Sequence, residues 1–248
     1  MSAGRTTVQL FPTAVDVAEA ARDYVLAVAA AVGQDRPFHI VLAGGSTPAL
    51  LYRMLAEETE LDWSNVHIWF GDERTVPPDH EDSNFKMVHD TLLAEIDMPP
   101  DNIHRMRGET EPASAASDYA EEISRLVPTN AEGLPVFDVV ILGLGEDGHT
   151  ASLFPDTTAL DEARKTVVSN VVPQQNTVRI TLTYPVLNAA AHVVFLVTGA
   201  AKAGPLAAVL SGAADAPPAA RVQPEPGLLR WFVDEPAAAE LASDQVSR

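Results

Sequence analysis

Phe137-Asp138-Val139-Val140-Ile141-Leu142, followed at once by Gly143-Leu144-Gly145, is a short apolar run stopped by glycine. Its length suits a strand. Its continuous apolarity suits a strand covered on both faces, as in a parallel sheet. Phe38-His39-Ile40-Val41-Leu42, Val66-His67-Ile68-Trp69-Phe70 and His192-Val193-Val194-Phe195-Leu196-Val197 repeat the pattern, each reaching a glycine within a few residues. Between them apolar residues recur at helical spacing. Ala14–Val32 places Val17, Ala21, Tyr24, Val25 and Val28 on one face, and Pro48–Glu58, Asn84–Glu95, Ala113–Leu126 and Ala201–Leu210 are the other expected helices. Strands alternating with helices predict a doubly wound α/β fold. Ser211–Gly227, rich in Ala, Pro and Gly, reads as a long surface loop, and Leu228–Val233 as a late strand. Pro236 is placed to open a final helix. No repeat or dividing linker interrupts the pattern, so one domain over residues 1–248 is expected.

Composition narrows the function. Of 248 residues 46% are hydrophobic and 21% charged, a globular balance. The absence of cysteine excludes disulfides, thiolate catalysis and Cys-ligated metal. A formal charge of −19 makes nucleic acid and anionic membrane poor partners. Met1–Gln9 is polar and reads as no targeting segment. Ile180–Ala201 carries no Asp, Glu, Lys or Arg before Lys202 and has the length of a membrane span. Pro185, Asn188 and His192 interrupt it, so the expectation is strand, helix, strand, in a soluble cytoplasmic protein.

In open α/β sheets ligands bind beyond the C-terminal strand ends. Four such ends here carry chemistry. Ala43-Gly44-Gly45-Ser46-Thr47-Pro48 offers close backbone approach at its glycines, a helix cap at Ser46 or Thr47, and Pro48 in the first turn. Such a loop is an anion site, or a plain strand-to-helix turn. Gly71-Asp72-Glu73-Arg74 is a dense charge cluster, either a surface ion pair or a group in which Arg74 holds an oxyanion, carboxylate or phosphate. Asn84 opens the next helix, as its N-cap or as a side chain entering the same space.

At the third end, Gly143, Gly145 and Gly148 match G-x-G-x-x-G, but Pro155 interrupts the following segment and no strand ending in an acid follows at the usual spacing. The dinucleotide reading is therefore rejected. Asp147 and His149 flank Gly148, and an acid beside a histidine fixes its tautomer and raises its basicity, as a general base requires. The plainer alternative is a histidine bonded to its own loop. At the fourth end Lys202, one of three lysines, lies in the first turn of its helix, where a cation is disfavoured unless an anion binds there. Arg179, before Ile180-Thr181-Leu182, is a further candidate cation or a solvent-facing strand residue.

These blocks, with Asp147-Gly148-His149-Thr150-Ala151-Ser152-Leu153-Phe154-Pro155 the most specific, resemble the 6-phosphogluconolactonase signatures of the glucosamine-6-phosphate isomerase/6-phosphogluconolactonase superfamily, in order over nearly the whole chain. The deaminases of that superfamily usually carry Glu where this chain has Phe154, and an aromatic where it has Arg74. Both departures favour the lactonase. The resemblance implies a Rossmann-like three-layer α/β/α sandwich with a mostly parallel sheet. It also implies hydrolysis of 6-phospho-D-glucono-1,5-lactone in the oxidative pentose phosphate pathway, with no metal or organic cofactor. It allows transient association with the pathway dehydrogenases.

The expected roles are His149 as base on water, Asp147 as its partner and Arg74, with backbone N–H groups, at the oxyanion. Gly44, Gly45, Ser46, Thr47, Asp72, Asn84, Arg179 and Lys202 are the expected substrate-binding residues. Ser152 lacks the G-x-S-x-G setting of a nucleophile. A deaminase or isomerase on the same scaffold, a non-catalytic sugar-phosphate sensor and a nucleotide-binding module are the competing readings.

Overall fold

A computed structural model describes residues 6–247. Met1–Arg5, most of the stretch expected to carry no targeting signal, lies outside them. Six parallel strands form the central sheet: β1 (Thr6–Phe11), β2 (Phe38–Leu42), β3 (Val66–Phe70), β5 (Val139–Leu142), β8 (His192–Val197) and β9 (Leu228–Asp234), in the order β1-β9-β8-β5-β2-β3. Side chains alternate across it. Ile40, Leu42, Ile68, Phe70, Val139 and Ile141 join one core, and Val41, Trp69, Val140 and Leu142 join the other. Helices α1 (Ala14–Val32) and α2 (Ser46–Ala56) cover the first face. Helices α4 (Pro112–Leu126), α5 (Tyr184–Ala189) and α6 (Ala203–Leu210) cover the second. The result is the expected Rossmann-like α/β/α sandwich. Local chemistry sets helix ends: Thr13 and Asp16 form a capping box on α1, which stops at Gly33 with φ 70°.

A second sheet was not foreseen. β4 (Asp72–Arg74), β7 (Thr177–Leu182) and β6 (Val167–Val172) pair antiparallel in the order β4-β7-β6. β4 is three charged residues, and β6 buries the polar Asn170 while exposing Val171, so neither shows an apolar pattern. β1 hides in the polar opening stretch.

Other expectations need correction. Ser83, not Asn84, caps α3 (Asn84–Val88), its hydroxyl accepting from Lys86 N–H, and α3 continues as a π-helical turn over His89–Leu93. Gly45, not Ser46 or Thr47, is the N-cap residue of α2. Pro236 opens turns instead of a helix, because the chain is drawn back along β1 by bonds from Leu10 N–H to Ser247 O and from Ser247 N–H to Val8 O. Ser211–Gly227 is not merely surface: Ala219 and Val222 are fully buried beside a short 3-10 turn, Pro218–Arg221. Ile180–Ala201 is strand, helix and strand as expected, and among the described residues no helix is long and apolar enough to cross a membrane.

His39 lies buried inside β2, where its Nδ1 accepts from the Trp69 indole N–H, an obligate donor. Burial first, and nearby His67 second, lower its pKa from 6.5 to about 4. The unfolded chain therefore takes up this proton before the folded one. The stabilisation is present above about pH 6.5 and is lost as pH falls toward 4, by on the order of 3 kcal/mol. Urea unfolding at pH 7 and pH 4.5 should show a smaller loss of stability on acidification in His39→Gln than in wild type.

Candidate active site

β3 lies on one side of β2 and β5 on the other, so the chain reverses its direction of sheet building at β2. A crevice forms outside the strand ends at such a point. Here it is a cleft of about 290 Å³. Gly44 and Gly45 reach it from β2, Asp72 and Arg74 from β4, Gly143, Gly145 and His149 from β5, Arg179 from β7 and Lys202 from β8, with Asn84 from α3. A larger groove of about 570 Å³ between α4 and β6 contains Glu162, Arg164 and Lys165 but no histidine and no C-terminal strand end of the central sheet. The smaller cleft therefore carries the candidate chemistry.

Gly44 and Gly145 allow the closest packing. A Cβ on Gly44 would lie 2.0 Å from Asn84 Oδ1, and one on Gly145 would lie 2.0 Å from His149 Nδ1. The loop from Gly145 to His149 closes on itself through Gly145 N–H to His149 O at 2.8 Å. Asp147 Oδ1 sits 2.5 Å from His149 Nδ1 and also accepts the His149 N–H at 3.1 Å. With Nδ1 committed, Nε2 is the ring nitrogen left for chemistry. Burial pushes the Asp147 carboxyl up, but the two bonds from His149 outweigh it, and the net direction is below the usual carboxylate range. Gly148 (φ 75°) is backed by Pro217, and its carbonyl accepts from Ala219 N–H at 3.0 Å. The segment read as a surface loop thus supports the Asp147–His149 turn.

The two acids of β4 separate. Asp72 lines the cleft, its carboxylate held by Ser152 Oγ (2.6 Å) and Asn84 Nδ2 (3.2 Å). Glu73 turns away and accepts the N–H groups of Asn84 (2.7 Å) and Phe85 (2.8 Å) and the Ser83 hydroxyl (3.0 Å), tying down the start of α3. Burial pushes its carboxyl up despite those N–H bonds. Ser46 and Thr47 are not brought into the cleft as their glycines are. Ser46 is exposed in the first turn of α2, and the Thr47 hydroxyl pairs with Thr198 at 2.6 Å.

Arg74 and Arg179 are direct partners across the β4–β7 pair. Arg74 Nη1 donates to Asp82 O and Arg179 Nη2 to Gln175 Oε1, but the Nε of each is buried without a partner. Among the described residues neither guanidinium nor Lys202 forms an ion pair. Burial first, and the Arg74 charge second, push the Arg179 guanidinium below its ordinary pKa. Asp72, Glu73 and Asp82 act on Arg179 only from beyond contact distance and oppose that shift without reversing it. Asp234 supports the site from below: both carboxylate oxygens accept the Gly199 N–H at 3.0 Å, fixing the loop that presents Lys202. Among the described residues no cluster of His, Asp and Glu is arranged to hold a metal ion.

Sequence reasoning missed four contributors. Ser152 holds Asp72, Gln175 holds Arg179, Asp234 holds the Gly199 loop, and the ring of Phe154 stacks on His149. Phe154 and Ser152 stand out in the sequence only for what they are not, an acid and a nucleophile.

The model of the family described as glucosamine-6-phosphate isomerases/6-phosphogluconolactonase matches residues 12–231, and the chain belongs to that family. It is 39% identical to the 6-phosphogluconolactonase of Haemophilus influenzae over 82% of this chain and 87% of that protein. It is also 39% identical to the 6-phosphogluconolactonase of a Nostoc species, over 96% of this chain and 99% of that one. The solved 6-phosphogluconolactonase from Trypanosoma brucei superposes with a TM-score of 0.86 at 30% identity, covering 96% of this chain and 99% of that chain.

The uncompensated cations predict anion-linked stability. Inorganic phosphate at about 100 times its Kd should stabilise the protein by about 2.7 kcal/mol, read as a rise of roughly 5–10 °C in Tm. Arg179→Gln should lose that rise while its ligand-free Tm stays level or increases, because one of two like charges is gone.

Proposed function

We infer that the chain hydrolyses 6-phospho-D-glucono-1,5-lactone to 6-phospho-D-gluconate, the lactonase step of the oxidative pentose phosphate pathway. One observation carries this reading: a histidine with its Nδ1 held by a carboxylate faces the same cleft as three cations without acidic partners, in a chain whose relatives are lactonases. The substrate has the two matching parts, an ester carbonyl and a remote phosphate.

In the proposed mechanism the phosphate is held by Arg179 and Lys202 beside the Gly44-Gly45 loop at the N-terminus of α2. That anchor converts binding energy into orientation of the lactone carbonyl. His149 Nε2 takes a proton from water as its oxygen bonds to C1. The carbonyl electrons move onto oxygen, and Arg74, with loop N–H groups, is the donor set for that oxyanion. As the carbonyl re-forms, the C1–ring-oxygen bond breaks, and protonated His149 returns its proton to the departing oxygen. Asp147 stabilises the imidazolium in between. No step draws on a metal or an organic cofactor. Asp72, held by Ser152 and Asn84, is placed to accept from a sugar hydroxyl.

A single domain, residence in the cytoplasm and transient contact with the dehydrogenases on either side of this step fit the same reading. A deaminase would need a second acid beside its histidine, where this chain has the Phe154 ring.

Lactone generated freshly from glucose 6-phosphate, followed against its spontaneous hydrolysis, tests the assignment. Wild-type protein should exceed background, and folded His149→Ala should lose about 10²–10⁴-fold of the rate. Lys202→Ala should mainly raise KM. A lowered kcat at unchanged KM would move Lys202 from phosphate anchor to the chemistry.

A further inference from the structure

Asp147 engages one corner of the His149 ring. A single hydrogen bond fixes the position of Nδ1 but leaves the ring free to pivot about the Nδ1–Oδ1 line. Two other contacts remove that freedom. Gly145 crowds the Nδ1–Cε1 edge, where even a methyl group would come within 2.3 Å of Cε1. Phe154 covers a face: its ring lies 3.8 Å from the imidazole, centroid to centroid, at 25°. The corner left over is Nε2.

Phe154 is itself immobile. It is 2% exposed, the backbone before it is pinned to the second sheet, and its own carbonyl is held by Thr157. Ser152 N–H donates to Thr181 Oγ1 (3.2 Å), Asn170 Nδ2 to Ser152 O (2.8 Å) and Thr157 Oγ1 to Phe154 O (2.7 Å). Between His149 and Phe154 the chain reverses in a tight turn, with Leu153 N–H bonded to Thr150 O and Ala151 at φ 47°. A non-glycine residue in that region is held there by its surroundings. The turn folds Phe154 back over the histidine five residues before it.

We infer that Phe154 is a positioning residue, whose ring clamps the imidazole of His149 so that Nε2 stays aimed into the cleft. This rests on the lactonase reading for its kinetic arm alone. A residue that only filled the core would affect stability and leave the histidine as it was.

Phe154→Leu keeps the apolar filling and removes the flat face. Phe154→Tyr keeps the face. Steady-state lactone hydrolysis and one-dimensional proton NMR of the downfield Nδ1–H resonance, assigned by its loss in His149→Ala, are read on each. The Leu variant should lose roughly 10- to 100-fold in kcat, the scale of a misplaced catalytic group, with KM within about twofold. Its Nδ1–H resonance should broaden or vanish. The Tyr variant should recover the resonance and most of kcat. Wild-type kcat with a sharp resonance in the Leu variant overturns the inference, as does a Tyr variant no better than Leu. Phe154→Met replaces Leu if the latter does not fold. Wild-type protein no faster than background would sink the lactonase reading, while the NMR comparison would still decide whether Phe154 orders His149.

Discussion

A strand buried on both faces has no place along its length for a charge. In β2, β3, β5 and β8 nearly every side chain is enclosed, and the one titratable group fully inside β2, His39, is driven toward its neutral form. Charged chemistry is therefore displaced to the loops beyond the strand ends. A parallel sheet sends those ends to one side of the molecule. Gly44, Gly145, Asp72, His149 and Lys202 meet because each lies in the segment that follows the C-terminal end of β2, β3, β5 or β8.

That constraint explains convergence but not charge. A protein with a net charge of −19 must build a positive pocket against its own field. The second sheet does this. By pairing with β7, β4 sets Arg74 beside Arg179, and the carboxylate next in sequence, Glu73, is spent on the amides at the start of α3 instead of neutralising them. Two adjacent guanidiniums with buried, unpartnered Nε atoms are unfavourable in the free protein. A dianion placed between them would relieve that repulsion.

What could be read from the sequence was what is local. Asp147 and His149 are two residues apart, and their bond follows from the glycine between them. The glycine-stopped apolar runs located four of the six central strands within a residue or two. What could not be read was register between distant segments. The Arg74–Arg179 pairing joins strands that lie far apart in sequence, one of them composed entirely of charged residues. Ser46 and Thr47 were expected to meet the ligand because capping residues resemble anion ligands in sequence. Gly45, at φ 116°, takes the cap position and leaves the Thr47 hydroxyl to Thr198. Ser211–Gly227 looked like surface from its composition, yet its small residues let Pro217 and Ala219 approach Gly148.

Two of the positive-φ positions of the fold lie where this support is densest. Gly148 and Ala151, both at positive φ, bracket His149, a region L-residues avoid at a cost of order 1–3 kcal/mol where glycine does not relieve it. Pro217 and Ala219 hold the first from the C-terminal half of the chain, and Thr181 and Asn170, through Ser152, hold the second from the other sheet. The histidine loop is short and protrudes past the central sheet, so the sheet alone could not keep it in this conformation. Two separate parts of the molecule are committed to a single turn, and the small second sheet serves the cleft twice: it sets Arg74 and Arg179 there and backs the turn that follows His149.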